Sequence, residues 1–408
     1  MRKKSWVWSF LVICLSLFVI AGCSGASKQT DGEISGGDAK SSGESSDTIK
    51  IGVIVADTGP ASASGLPNAD TGPASALGQP EADVARLLNK QLKDKDFNGK
   101  KVELIIEDYE TDDTNAVVLM KKMISEHNVT AVVGGTQTST SVALMGVAAE
   151  NKIPLVALGV LNDDQLNEYT VQAPQSNETV LQNVIDYLKD NNIDSVAWIN
   201  ARDGFGQTGL PVFEGMAKEN GIEIVAKEDF DAEATDMTVQ LTKIKPKNPG
   251  AIIIWSRPPG AGIIAKNYSQ LGIDVPMIQS HAVSNQGFLD QVGADGLGVL
   301  VLGSKLNVLD SLEDNEQTQL FKDFAEPFME EYDYNPGPFG GYAYDGIQMV
   351  LQAISEGNTD SESIKKYLET ISYKGVTGTY NLSPENRNGV EGDGMAILKV
   401  GDNGWEIE

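Results

Sequence analysis

AVVGGTQTSTS, residues 131–141, is the stretch from which the fold can be read. Its β-branched start, Ala131–Val133, suits a buried strand. Gly134 and Gly135 then break the strand, and a run of hydroxyls opens an amphipathic segment, Ser139–Glu150, that reads as helix. The segment is therefore a βα unit with a glycine-rich turn. Such a turn lets backbone approach a ligand, and a helix N-terminus favours an anion, so a carboxylate here needs no cationic side chain. Thr138 or Ser139 acting as a plain helix cap fits the same residues.

The pattern repeats on both sides. Upstream lie strand Ile49–Val55, helix Glu81–Leu92 with Val84, Leu87, Leu88 and Leu92 on one face, strand Val102–Glu107 and helix Thr114–Ser125. Downstream come strand Pro154–Leu158, helix Asn177–Asp190, strand Ser195–Ile199, helix Pro211–Asn220 and strand Ile222–Lys227. Helix Asp236–Ile244, strand Ala251–Trp255, helix Gly262–Leu271 and strands Pro276–Ile278 and Gly298–Leu302 follow. Helices near Gln317–Glu331, Gly341–Ile354 and Ser361–Ile371, then strands Val376–Tyr380 and Gly394–Val400, close the chain. Alternating βα units imply mostly parallel sheets with helices on both faces. Ligands of such sheets sit beyond the carboxyl ends of the strands.

One loop is duplicated. ADTGPASASGLPN (56–68) is followed by ADTGPASALGQPE (69–81), identical at ten of thirteen positions. One copy fills the usual strand-to-helix path and the other bulges out, as a tolerated surface insertion or as an altered rim of a cleft. Which copy lines that cleft is open at this level.

The first residues read as an export signal. Arg2, Lys3 and Lys4 precede an apolar run, Trp6–Ile20, shorter than the roughly 20 residues a membrane span needs. The run ends in Val-Ile-Ala-Gly-Cys, which marks residues 1–23 as a lipoprotein signal with Cys23 as the lipidated residue; an ordinary cleaved signal is the alternative. Residues 24–47 are Gly, Ser, Asp and Lys with almost nothing apolar, a flexible tether. Together these place the protein on the outer face of the cell membrane, held by a lipid anchor rather than spanning the bilayer.

Composition excludes several functions. The net charge is -27, which argues against nucleic acid as a partner. Cys14 lies within the signal, so Cys23 is the mature chain's single thiol, leaving neither a disulfide nor a thiolate metal site. With His127 and His281 as the whole histidine complement, a His-based metal cluster or a Ser-His-Asp triad has little to draw on. There is no GxSxG elbow or phosphate-binding P-loop. No cofactor, no metal and no catalysis are expected; a carboxylate pair assembled only in space is the enzyme alternative.

Other candidate residues stand at strand ends. Phe205, in Asp203-Gly204-Phe205-Gly206-Gln207, and Trp255, before Ser256-Arg257-Pro258, are suited to wall a flat apolar pocket, though core packing explains either alone. Arg257 could pair bidentately with a carboxylate, a surface ion pair being the default. His281 could donate to a ligand or serve as a structural histidine.

From Ile49 onward the chain resembles the branched-chain amino-acid type of solute-binding protein of ABC importers. The resemblance is carried by TGPASALGQP (71–80), EDYETDDTNA (107–116), VVGGTQTSTS (132–141) and IPLVALG (153–159). QLTKIKPKNPGAIIIW (240–255), NYSQLGI (267–273), QSHAV (279–283) and YAYDG (342–346) add to it. It implies the type I periplasmic-binding fold: two doubly wound parallel-sheet lobes joined by a three-stranded hinge. Lobe I would span 48–174 and 304–375, and lobe II 175–303 and 376–408. It also implies a monomer that delivers its solute to an ABC permease and its ATPase; a sensory receptor of the same fold is the alternative.

The resemblance further implies a ligand-binding set of Thr136, Gln137, Thr138, Ser139, Gly159, Phe205, Trp255, Arg257, His281 and Tyr342. The ligand carboxylate would meet the Thr138-Ser139 turn and backbone near Gly159, with Phe205 packing on the body. Two positions depart from the amino-acid binders. Leu161 replaces a hydroxyl residue, and His281 stands where an acidic residue pairs with the α-ammonium. An ammonium left unpaired in a buried site is costly. The departures resemble members that bind aromatic acids, so a small hydrophobic or aromatic carboxylate is expected ahead of a branched-chain amino acid.

Overall fold

The computed structural model describes residues 48–58 and 75–408. The signal, Cys23 and the tether lie outside the described residues. In chain order the first elements are β1 (Thr48–Val55), α1 (Ser75–Leu92), β2 (Lys101–Asp108), α2 (Asp113–Lys122), β3 (Ala131–Gly134), α3 (Thr138–Asn151), β4 (Leu155–Ala157) and β5 (Thr170–Gln172). Strands β1 to β5 form one parallel sheet in the order β2-β1-β3-β4-β5.

The next set is α4 (Asn177–Asp190), β6 (Ser195–Ala201), α5 (Gly206–Asn220), β7 (Glu223–Phe230), α6 (Thr238–Ile244), β8 (Ala251–Trp255), α7 (Gly260–Gln270), β9 (Met277–Gln279), α8 (Gln286–Val292) and β10 (Leu300–Ser304). Then come α9 (Glu316–Tyr332), α10 (Gly337–Ser355), α11 (Ser361–Leu368), β11 (Ser372–Lys374), β12 (Thr379–Asn381), β13 (Met395–Gly401) and β14 (Gly404–Ile407). The second sheet runs β14-β13-β10-β9-β8-β6-β7, parallel except where β13 and β14 join antiparallel.

Both sheets are covered on both faces, so their strands bury side chains in alternation. In β1, Ile49, Ile51, Val53 and Val55 enter one core and Ile54 the other. In β8, Ala251, Ile253 and Trp255 point to the face covered by α4 and α5, while Ile252 and Ile254 point to the opposite face. Caps set the helix starts: the Asp112 carboxylate accepts from Thr114 N and Asn115 N, and Ser176 Oγ from Thr179 N.

The chain passes between the sheets three times: after β5, after β10, and between Val390 and Met395, which lie in different cores. This moves one expected boundary. Val376, Tyr380, Leu382 and Val390 are buried in the first core, and β12 pairs with β11 instead of joining the second sheet. The cause is Asp345, buried on α10. Its carboxylate accepts from Val376 N and Thr377 N, both at 2.9 Å, and from Thr377 Oγ1 at 2.6 Å, holding the segment on the first core.

Of the duplicated loop, residues 56–58 and 75–81 are described. Ala56–Thr58 of the first copy leaves β1, and Thr58 is tied by its N–H to Asp108 at 3.0 Å. The end of the second copy forms the first turns of α1, where Gly78 packs against the Ala56 carbonyl so closely that a Cβ would fall 2.2 Å from its oxygen. The start of one copy and the end of the other thus meet beside β1. Deleting residues 59–71 restores a single ADTGPASALGQPE, and the shortened protein should fold with stability within about 1 kcal/mol of the parent. Urea midpoints of the two chains measure this; a loss of several kcal/mol would show that the extra copy supports the core.

Candidate functional site

Sheet order fixes where a ligand can enter. In the first sheet the direction of winding reverses between β1 and β3, and in the second between β6 and β8. Loops leaving adjacent strands at such a reversal part in opposite directions and open a crevice. A cavity of about 80 Å³ lies where these crevices meet. The first sheet's side contributes Leu77, Thr136–Ser139 and Leu158–Val160. The second contributes Asp203–Phe205 after β6, Arg257 after β8, and His281 and Ala282 after β9. Phe339 and Tyr342 of α10 complete the wall.

Of the residues expected from sequence, Thr136, Gln137, Thr138, Ser139, Gly159, Phe205, Arg257, His281 and Tyr342 meet at this cavity. Trp255 does not line it. Period-two alternation sends its side chain into the core with Ala251 and Ile253, where it is fully buried. It instead backs the wall: Phe205 stacks on Trp255 at 5.7 Å, Trp255 on Trp198 at 5.5 Å, and Trp198 on Phe213 at 5.1 Å. Leu161 is likewise turned away, its N–H held by Gln172 Oε1 at 2.6 Å, and Val160 faces the cavity in its place.

The hydroxyls of the glycine-rich turn are mostly engaged within the protein. Thr136 Oγ1 donates to Glu81, Thr138 Oγ1 to the Val160 carbonyl at 2.9 Å, and Thr140 Oγ1 to Asp113. Ser141 Oγ donates to the Gly135 carbonyl at 2.7 Å and accepts from Gly159 N at 3.1 Å. Burial pushes the Glu81 carboxyl well above the ordinary range, the Thr136 hydrogen bond opposing the shift. Ser139 is exposed and its hydroxyl has no partner among the described residues. No side chain caps α3, so the amides of its first turn keep their affinity for an external acceptor. The anion-binding capacity therefore lies in backbone N–H groups and Ser139, with the other hydroxyls as scaffolding.

Charge on the opposite wall is balanced. Arg257 Nε donates to Asp203 Oδ2 at 3.0 Å, and Asp203 Oδ1 accepts from Gly206 N at 2.7 Å. Sequence reasoning placed Asp203 in its loop but did not identify it as the partner that occupies Arg257. His281 is buried, edge-on to Phe205 at 5.6 Å and to Trp255 at 5.8 Å. Desolvation lowers its pKa to about 4, so it is a neutral imidazole at physiological pH. Tyr342 reaches across from α10 to donate to Gln175 Oε1 at 3.0 Å, on the first crossover.

Among the described residues no cluster of three His, Cys, Asp or Glu side chains could hold a metal ion, and no helix is long and apolar enough to cross a membrane. The architecture is that of a two-lobed binding protein with its cavity between the lobes. Comparison with known proteins agrees. The periplasmic binding protein family matches residues 65–404. A Leu/Ile/Val-binding protein homolog 7 of Brucella abortus is 22% identical over 296 residues, 67% of this chain and 71% of that protein. An extracellular ligand-binding receptor from Rhodopseudomonas palustris HaA2 superposes with a TM-score of 0.78 at 22% identity, covering 88% of this chain and 99% of that one. A solute-binding protein of an ABC transporter from Rhodopseudomonas palustris BisB5, in complex with 3,4-dihydroxy benzoic acid, gives a TM-score of 0.69 at 21% identity over 86% and 91% of the two chains. The chain belongs to the periplasmic binding protein family, in the two-lobed type I form.

Gly159 tests the geometry. A Cβ there would fall 2.5 Å from the Gln137 carbonyl carbon and 2.8 Å from Thr138 N, both backbone atoms at the start of α3. Gly159→Ala should destabilise the protein by about 1–3 kcal/mol, measured by urea unfolding, because the helix start must move. Unchanged stability would mean that the α3 terminus is not held in place by this contact.

Proposed function

We propose that this protein is the extracytoplasmic receptor of an ABC importer and captures a small hydrophobic or aromatic carboxylate between its lobes. The solute's carboxylate is bound by the first-turn amides of α3 and by Ser139, and its body lies against Phe205. The observation that carries this reading is the uncapped α3 terminus facing a wall with no free charge. A helix N-terminus without a capping side chain presents free amides to the cavity, and a carboxylate meets them.

The same wall disfavours a free amino acid. An α-ammonium needs a carboxylate partner, and Asp203, the one carboxylate among the described residues of the lining, already serves Arg257 and Gly206 N. His281 is neutral and supplies no negative charge. An ammonium brought here would be buried with poor compensation, at a cost of several kcal/mol. The aromatic acid held by the Rhodopseudomonas palustris BisB5 relative is consistent with this preference, whereas the name of the Brucella relative is the reason to keep branched-chain amino acids in the test.

The remainder of the proposal concerns the setting. The protein works as a monomer anchored through lipidated Cys23 and tethered by residues 24–47, and the lobes close by flexing at the three crossovers. It then docks on a permease whose ATPase drives release. Catalysis has no part in this cycle.

A thermal-shift screen of benzoate, phenylacetate and cinnamate against leucine, isoleucine and valine tests the solute class. An acid at 100 times its dissociation constant should add about 2.7 kcal/mol of stability. Stabilisation by an aliphatic amino acid with none from the aromatic acids would refute the preference. Ser139→Ala should weaken the bound acid about tenfold in titration calorimetry, the expected loss of a hydrogen bond to a charged group. An unchanged affinity would take Ser139 out of the site.

A further inference from the structure

The carboxylate grip leaves His281 unused. Nδ1 and Nε2 of this buried ring both lack a hydrogen-bond partner among the described residues. Buried polar groups are nearly always satisfied, and an orphaned one is costly, so two on a single ring call for partners beyond the described residues.

The ring borders two spaces. One is the solute cavity. The other is a hollow of about 10 Å³ whose lining includes Gln175, Ser284, Ser304, Thr377 and Tyr342. That is close to the smallest volume that holds one water, and its walls offer the several polar partners a buried water requires. Their own bonds are largely internal: Ser304 N donates to Ser284 Oγ at 3.2 Å, Thr377 Oγ1 to Asp345, and Tyr342 OH to Gln175. A water there can bind whichever imidazole nitrogen faces it.

The remaining nitrogen belongs to the solute, and the chemistry of the ring selects the class of group it accepts. A neutral imidazole offers one donor and one acceptor. A hydroxyl both donates and accepts, so it matches either tautomer. An ammonium matches only the acceptor and brings a charge with no carboxylate to receive it. A methyl or ring C–H leaves the nitrogen unsatisfied.

We infer that the solute carries an uncharged hydroxyl on the end remote from its carboxylate, bound by one nitrogen of His281 while a water in the adjoining hollow holds the other. This rests on the carboxylate reading of the cavity, and makes His281 the specificity-determining residue for the body of the solute. Aromatic packing against Phe205 and Trp255 fixes the ring, so its hydrogen-bonding direction is built in before solute arrives.

Titration calorimetry on the full chain with matched acids tests it: benzoate against 4-hydroxybenzoate, cinnamate against 4-hydroxycinnamate, and 3-phenylpropionate against its 4-hydroxyphenyl analogue. In at least one pair the hydroxy acid should bind about tenfold tighter or better. With His127 as the chain's one other histidine, the imidazole ¹⁵N signals should show His281 moving on binding while His127 stays put. His281→Phe should abolish the preference within the pair, and His281→Gln, which keeps a donor and an acceptor, should restore part of it. Should the Phe variant fail to fold, the ¹⁵N shifts of the unaltered protein decide. Equal affinity within every pair, or a preference that survives His281→Phe, overturns the hydroxyl inference and leaves the carboxylate site standing. If none of the acids binds, the carboxylate reading falls as well.

Discussion

The uncapped N-terminus of α3 is the constraint on which the site depends. Some helix starts in this protein are capped by side chains, as at Asp112 and Ser176. At α3 the residues best suited to capping are turned to other partners: Thr138 to Val160, Thr140 to Asp113, and Ser141 to Gly135 and Gly159. These bonds lock the turn while leaving its first amides free for an outside acceptor. A positive helix end held rigidly at the mouth of a crevice binds an anion without a basic side chain, and so without the mobility of a long lysine or arginine.

The rest of the wall follows from strand alternation. Because β6 and β8 are parallel neighbours with both faces covered, Trp198 and Trp255 share one face and stack behind Phe205. Phe205, placed just past the strand end, is the surface of a four-ring stack that reaches through the core to Phe213. Such a backing fixes the pocket wall and lowers the local dielectric around His281, which keeps that ring neutral. The Arg257–Asp203 pair cancels the remaining charge on that side. The result is an anion-seeking end facing an electrically quiet, apolar end.

Long, wholly apolar strands were legible in the sequence, since parallel strands buried on both faces read as continuous runs. Ala251–Trp255 and helix Asn177–Asp190 begin and end where expected. Some short elements were not: β5, β11 and β14 are only three or four residues long, and α8 is seven, too few for a period to emerge. At the site, residue types at strand ends located the cavity, but partner choice could not be read. That Thr136, Thr138 and Thr140 spend their hydroxyls internally depends on Glu81, Val160 and Asp113 arriving from distant segments. The segment after 376 stays with the first core because Asp345, within YAYDG, binds its backbone, a contact that strand propensity could not reveal.

A crystal structure of the protein with its tightest-binding acid is the most direct test of this account. The carboxylate oxygens should lie about 2.7–3.1 Å from first-turn amide nitrogens of α3 and from Ser139 Oγ, with the body of the acid against Phe205. A carboxylate seated on Arg257 or in another hollow, with the α3 turn unliganded, would contradict it.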